Sequence, residues 1–290
     1  MRYTSPTTVD EARSLLAEHP GSRVFAGATD LVPQMRSGRP APPVLVDLKK
    51  IAQLMSVTHE NGQWTIGAAT PTANLTRNHD FTAMFPGLSE AMGLIGSDQI
   101  QNRSSLGGNL ANASPAADSV PAMIANGVQA VIATADGTRT VPVAEIVTGP
   151  GRTSLADGEF IVEFTLADTP ADTSDAYLRM IPRTEMDIAI VGSAVRLTVS
   201  DNIITDATVV LGAVAPTAVT VPDAGAALIG AAINAGQIDD SALNTLADAA
   251  SAACDPIDDK RGTVAYRRRV AGVLTRRAAA TAVERAQNGA

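Results

Sequence analysis

The pattern of apolar and polar positions divides the chain into two stretches of different grain. In the first, helical and strand periods alternate. Thr8 followed by Val9, Ala12, Leu15 and Leu16 predicts a capped amphipathic helix. Residues 23–26 read as a short strand, 31–36 as the helical turn behind it, and 44–48 as another strand. Residues 55–59 and 63–67 form a hairpin around Asn61-Gly62, residues that accept the left-handed backbone of a two-residue turn. Residues 86–95 are helical. A helix over 119–125 leads into a strand over 128–134, and Asp136-Gly137 turns the chain into 138–143.

Around residues 168–175 the composition becomes polar (ADTPADTSD), which reads as a linker between a domain over 1–172 and a second over 173–290. Beyond it lie two long β-rich runs, 188–199 and 203–211, joined at Asp201-Asn202. Helical segments follow at 223–229, 241–253 and 263–286. The alternation of the first stretch is an α/β or α+β pattern, and the second domain reads as a hairpin sheet backed by helices, α+β for the chain as a whole.

Composition narrows the chemistry. The chain has 290 residues, enough for two domains, and is 45% apolar but only 3% aromatic, so its core is aliphatic. No apolar run approaches the roughly 20 residues that span a bilayer. The N-terminal segment carries acids where a signal peptide has a basic region, and the expected compartment is the cytoplasm. A single cysteine, Cys254, excludes an intrachain disulfide, an all-cysteine iron–sulfur site and a multi-cysteine zinc site. His19, His59 and His79 have no metal-ligand spacing, and no metal site is expected.

The net charge of −8 argues against general nucleic-acid binding, and it is unevenly spread. From Lys260 onward the charge is +7, leaving −15 for the first 259 residues. Two readings satisfy this equally: a basic helix lying on its own protein's acidic surface, or a docking surface for another subunit.

Two stretches carry the candidate chemistry. In FAGATDL (25–31) a strand runs into Gly27, where a ligand phosphate can approach the main chain; Thr29 adds a hydroxyl and Leu31 opens a helix. Taken alone, the stretch also reads as a tight turn capped by Thr29 or Asp30. SSLGGNLANASPAAD (104–118) is more specific. Gly107-Gly108 removes two side chains in succession, Asn109, Asn112 and Ser114 are short polar groups, and Asp118 is a possible acceptor for ribose or ribityl hydroxyls. A plain polar loop does not explain the apolar Leu106, Leu110 and Ala111 threaded through it. Tyr177 and Arg179 on their own read as a surface strand with one half-buried aromatic.

In these two loops the chain resembles the FAD-binding medium subunit of the molybdenum hydroxylases, which include xanthine and carbon monoxide dehydrogenases and enzymes oxidising nicotine, quinolines and aldehydes. FAGATDL resembles that family's first diphosphate loop, and QIQNRSSLGGNLANASPAAD (99–118) its second. IGAAT (66–70), GPGRTSLADGEFI (149–161), YLRMIPRTEMDIAIV (177–191), LGAVAPT (211–217) and DKRGTVAYRRRVAGVLTRRA (259–278) match in order. The resemblance implies a vanillyl-alcohol-oxidase-like FAD domain of two α/β subdomains, then a smaller domain with a three-stranded antiparallel sheet and helices. It implies non-covalent FAD, with Phe25, Ala26, Gly27, Ala28, Thr29, Asp30 and Leu31 and then Ser105, Gly107, Gly108 and Asn109 around the diphosphate. Asp118 would bind the polar chain of the flavin, Ile161 the adenine side, and Ile95, Tyr177 and Arg179 would lie near the isoalloxazine. Ala28 and Ser104 stand where the family usually has glycine, and Arg179 where lysine is common.

The resemblance further implies an electron-transfer subunit with no catalytic residue for the hydroxylation itself. A small partner would carry [2Fe-2S] clusters and a large one the molybdopterin, in a heterotrimer or a dimer of heterotrimers. Electrons would leave through FAD to NAD, a quinone or oxygen. Thr29-Asp30 tilts the expected substrate towards a purine, an N-heterocycle or an aldehyde. The alternative is a scaffold subunit whose cradle is empty or holds another nucleotide; no motif supports a stand-alone oxidase.

Overall fold

The computed structural model describes residues 1–288. The chain divides into two compact units, each assembled from separated segments. Met1–Asn74, Asp98–Ala113 and Val128–Asp168 make the first; Leu75–Ser97, Ser114–Gly127 and the chain from Thr169 onward make the second.

The first unit contains two larger sheets and a two-stranded one, Val147–Gly149 with Arg152–Thr153. Strands Arg2–Thr4, Val44–Asp47 and Arg23–Phe25 lie side by side in that order, all parallel, with every residue of the middle strand buried. Helix Val9–Glu18 links the two outer strands. Its start is a capping box: Thr8 Oγ1 accepts from the Glu11 N–H at 3.1 Å, and the Glu11 carboxylate accepts from the Thr8 N–H at 3.3 Å. The second sheet has five antiparallel strands in the order Val57–Glu60, Gln63–Gly67, Phe160–Ala167, Gln129–Thr134, Gly137–Pro142. Asn61 (φ +52°) and Gly62 (φ +75°) make the expected left-handed hairpin turn. Ala12 and Leu16 of the helix share one core with Val44, Val46, Phe160 and Val162.

The second unit is built on strands Thr173–Met180, Val191–Ser200 and Ile203–Gly212, paired antiparallel, with a two-residue edge strand, Val219–Thr220. Four strands are therefore present where three are expected; the edge strand is too short to leave a period in the sequence. Asp201 (φ +52°) and Asn202 (φ +60°) close the long hairpin. Val195, Leu197, Val209 and Leu211 pack with Leu246 and Ala250 of helix Asp240–Ala252 and with Ala271, Leu274, Ala278 and Ala282 of helix Val264–Asn288. Small residues bring these helices close: a Cβ on Gly272 would lie 2.8 Å from the Ala247 carbonyl oxygen.

The basic segment after Lys260 is spent largely on its own unit. Arg267, 3% exposed, donates to the carbonyls of Ile190 (2.5 Å) and Ala213 (3.3 Å) and pairs with Asp259 at 2.7 Å. Arg276 pairs with Asp240 at 3.7 Å, and Arg285 with Glu90.

The polar stretch read as a linker ends sooner than expected. Thr173, Ser174 and Asp175 are buried in the first turns of a strand. Asp175 accepts from the N–H groups of Gly87 (2.8 Å) and Leu88 (2.9 Å) and from Asn126 Nδ2 (2.7 Å). Helix Pro86–Gly93 has no side-chain cap from its own neighbours, so this distant carboxylate satisfies its first N–H groups. A Cβ on Gly87 would lie 2.6 Å from the Ala176 nitrogen, which is why the helix starts with glycine against the strand. Leaving buried donors unpaired costs about 1–3 kcal/mol each. Asp175→Ala is expected to destabilise the protein by about 2–5 kcal/mol, read as a lowered urea midpoint; a midpoint equal to the parent's would show that solvent reaches these N–H groups.

Candidate functional site: a backbone cradle and a buried acid–arginine–tyrosine group

In the first unit the motifs converge on one place. The strand Arg23–Phe25 ends at Ala26, whose carbonyl accepts from Lys49 Nζ at 2.8 Å; the same ammonium pairs with Asp47 at 2.6 Å and lies 4.6 Å from the Phe25 ring centre. Sequence reasoning passed over Lys49 because nothing local ties it to a segment 23 residues earlier. At Gly27 the chain touches the second motif directly: a Cβ would sit 1.7 Å from the Arg103 carbonyl oxygen. The absence of a side chain there is explained by backbone packing between the loops.

Ala28 is left-handed, φ +59°, a conformation that costs an L-residue roughly 1–2 kcal/mol and glycine almost nothing. Helix Leu31–Arg36 follows, and Asp30 at its N-cap makes no side-chain capping bond. The turn is thus not held by the local cap that the short motif alone suggests. Among the described residues, no backbone hydrogen bond within the chain uses the N–H groups of Gly27, Ala28, Thr29 or Asp30.

The second motif forms a short helix, Leu106–Ala111, capped by Ser105 Oγ accepting from the Gly108 N–H at 3.1 Å. The apolar Leu106 and Leu110 are its buried face, which accounts for the apolar residues that a loop would not need. The two glycines differ in what they face. A Cβ on Gly107 would lie 2.5 Å from the Ala68 carbonyl, whereas at Gly108 it would meet only Ser105 Oγ, at 3.2 Å. Gly107 also donates to Ala68 at 3.1 Å, so the 66–70 segment is the floor on which this helix rests. Ser104, in place of a glycine, is buried with its hydroxyl 2.9 Å from Thr72 Oγ1. Asn109 is half-buried on the same helix, and Asn112 accepts from Gln34 Nε2 at 2.9 Å. Ile161 is buried in the central strand of the five-stranded sheet, opposite Ile132 at a register irregularity.

In the second unit three of the expected residues form one group. Asp118 Oδ1 accepts from the Tyr177 hydroxyl at 3.0 Å, and Oδ2 from Arg179 Nη1 at 2.7 Å. The Arg179 side chain is 5% exposed and that of Asp118 9%. The strand is therefore buried here, and the reading of Tyr177 and Arg179 as surface residues does not hold. A Cβ on Gly192 would lie 2.4 Å from the Tyr177 hydroxyl, so that glycine makes room for the phenol. Arg179 Nε is buried without a hydrogen-bond partner. Burial pushes the Asp118 carboxyl up to about 6, against the opposing pull of Arg179 and Tyr177. Burial, with the Asp118 charge beside it, holds the Tyr177 hydroxyl well above its ordinary value, so it stays neutral and donates. Ile95 follows helix Pro86–Gly93 and is half-buried, its N–H bonded to the Met92 carbonyl at 3.2 Å.

A run of peptide N–H groups without backbone acceptors among the described residues suits a diphosphate, and comparison with known proteins supplies the class. The model of the "FAD binding domain in molybdopterin dehydrogenase" matches residues 1–167, and that of the "CO dehydrogenase flavoprotein C-terminal domain" residues 176–282. The chain belongs to the family of FAD-binding medium subunits of the molybdenum hydroxylases, and is an oxidoreductase subunit. It is 32% identical over 277 residues to the carbon monoxide dehydrogenase medium chain of Hydrogenophaga pseudoflava, covering 95% of this chain and 94% of that one. To the xanthine dehydrogenase FAD-binding subunit of Escherichia coli O157:H7 it is 30% identical, covering 74% of each. Its fold superposes on a chain of Cu,Mo-CO dehydrogenase with a TM-score of 0.93 at 30% identity, covering 98% of both chains. Quinoline 2-oxidoreductase from Pseudomonas putida 86 gives 0.91 at 26% identity, covering 99% of this chain and 98% of that one.

Two outcomes test this geometry. Ala28→Gly relieves the left-handed strain and is expected to raise stability by about 1 kcal/mol, seen as a higher denaturant midpoint; a lower midpoint would mean that the loop is not left-handed at Ala28. The raised Asp118 pKa means that the folded chain keeps a proton the unfolded chain releases between about pH 4 and 6. Stability from this group is therefore present below pH 4 and lost as pH rises to about 6, by an amount on the order of 1–3 kcal/mol. Asp118→Asn should flatten that segment of the stability–pH curve; an unchanged slope would assign it to other carboxyls.

Proposed function

We propose that this chain binds FAD non-covalently and relays electrons from the [2Fe-2S] clusters of a small partner subunit to an external acceptor. The substrate would be hydroxylated on a third, molybdopterin-bearing large subunit. The observation that carries the reading lies in the first unit, where the N–H groups of Gly27 to Asp30 have no backbone acceptor among the described residues and Gly27 packs on the Arg103 carbonyl, two residues before the Ser105 cap of the second loop's helix. Peptide N–H groups in succession bind phosphate oxygens without a cationic side chain. Ala26 to Leu31 and Ser105 to Asn109 would hold the diphosphate, with Phe25 fixed behind the loop by Lys49.

Asp118, Tyr177 and Arg179 are assigned to the flavin's polar chain and ring, and Ile95 and Ile161 to its apolar contacts, on the family motif. The orphaned Arg179 Nε supports this, being a buried donor that lacks an acceptor within the chain. FAD when bound supplies the redox chemistry; the chain positions it and sets its electrostatic surroundings. The reading includes a flavin domain over residues 1–172, a second domain over 173–290, a heterotrimeric assembly and a cytoplasmic location. Among the described residues no helix is long and apolar enough to cross a membrane. The substrate is proposed to be a purine, an N-heterocycle or an aldehyde, on Thr29-Asp30 in the first loop.

Gly108→Val places a branched side chain at the one glycine of the two loops that faces no backbone oxygen, where the Ser105 hydroxyl must give way by a few tenths of an ångström. It is expected to fold with a near-parental melting temperature and to lose FAD, read as the blue absorbance per chain. A full complement of flavin in this variant would overturn the assignment of the second loop. A colourless parent protein that stays colourless after incubation with FAD would favour a scaffold subunit.

A further inference from the structure

The basic segment of the chain serves two purposes, and the structure separates them. Helix Val264–Asn288 buries one face through Val270, Ala271, Leu274, Ala278, Ala282 and Ala286. Arg267, Arg276 and Arg285 pair with acids of their own unit, and Arg268 donates to the Cys254 carbonyl at 3.2 Å. Arg269 and Arg277 do neither. Both are exposed, and among the described residues neither has an acidic partner. They share a face with Tyr266 and Val273, which are 42% and 41% exposed. The spacing of three, four and four residues from Tyr266 through Arg269 and Val273 to Arg277 puts all four on one stripe. Two unpaired guanidiniums, about 12 Å apart along the axis, thus bracket an aliphatic side chain, with an aromatic ring at one end.

We infer that this stripe is the docking face for another subunit that presents acidic side chains around a small apolar contact. The inference rests on the reading of the chain as one subunit of a larger enzyme. Three features select this occupant. An aromatic with arginines around an apolar centre is the composition of an interface core. A nucleic acid is disfavoured, because the chain carries −8 overall and its field repels phosphates at long range. A second copy meeting stripe to stripe is disfavoured by symmetry, since a two-fold contact sets Arg269 against Arg277 when the helices run antiparallel and each arginine against its own copy when they run parallel.

The test is co-expression of the full chain with the chains encoded beside it, in the parent and in Arg269→Glu/Arg277→Glu. The reversal is expected to lower the yield of co-purified partner at least tenfold while FAD per chain and melting temperature stay at the parental level. Arg269→Lys/Arg277→Lys, which keeps the charge, should retain most of the partner and lose it at lower salt than the parent. In the parent complex, Val273→benzoylphenylalanine should crosslink under light to a peptide of another chain that contains Asp or Glu. That crosslink decides the matter if the charge reversal unfolds the protein. Undiminished co-purification in a folded reversal variant overturns the docking face and leaves the FAD reading intact, as does a crosslink to a second copy or to nothing. A parent that binds FAD but captures no neighbouring chain overturns the docking face and the subunit reading together.

Discussion

The contact between Gly27 and the Arg103 carbonyl is the constraint on which the candidate site depends. With no Cβ at Gly27, two backbone segments 76 positions apart in sequence meet at main-chain distance. A methyl group there would overlap the Arg103 oxygen, and the loops would have to separate. Their contact brings the loop whose N–H groups lack backbone acceptors to within two residues of the Ser105 cap. The hydrogen bonds from Thr72 to Ser104 and from Gly107 to Ala68 then hold the second loop from behind. Each loop alone is a common strand–turn–helix or a polar connection. Pressed together, they form a surface of peptide donors suited to a charged ligand.

Charge is handled differently in the second unit. Asp118 and Arg179 are withdrawn from water together, and a buried pair of this kind gains little net stability because desolvation consumes most of its attraction. What the pair secures is geometry. Tyr177 and Arg179 stand two residues apart on the same strand face and are both anchored to one carboxylate ahead of helix Ser119–Ala125. Gly192 on the neighbouring strand provides the space. Asp175 serves a similar purpose for helix Pro86–Gly93, supplying from a strand the cap that the helix lacks locally. Acids and the basic helix meet within this unit through Glu90 and Arg285 and through Asp259 and Arg267, while Arg269 and Arg277 face outward.

Much of the architecture was legible from local pattern. The Thr8 capping box, the Asn61-Gly62 and Asp201-Asn202 turns and the period of helix Val264–Asn288 depend on residues within one or two turns of each other. The family was legible for a related reason: its loops need particular small residues at fixed spacing, and those leave an ordered trace in sequence. The relief of a missing cap, the burial of Thr173 to Asp175 and the anchoring of the first loop by Lys49 left no such trace. Each joins residues too far apart for any local period to record.

The sequence by itself therefore determined the longer helices and the hairpins, the class and the two loops, because turn chemistry and side-chain periodicity act over a few residues; short elements such as helix Leu106–Ala111 and strand Val219–Thr220 were decided by tertiary packing. Tertiary structure alone decided what each glycine and charge is for. Gly27 and Gly107 stand against backbone oxygens, whereas Gly108 meets only the Ser105 hydroxyl, although all three are the same residue in similar company. Arg267 is buried and paired while Arg269, two positions on, faces solvent. A residue's role follows from its neighbours in space, and those are fixed only when strands from distant parts of the chain pair and bury their shared apolar faces.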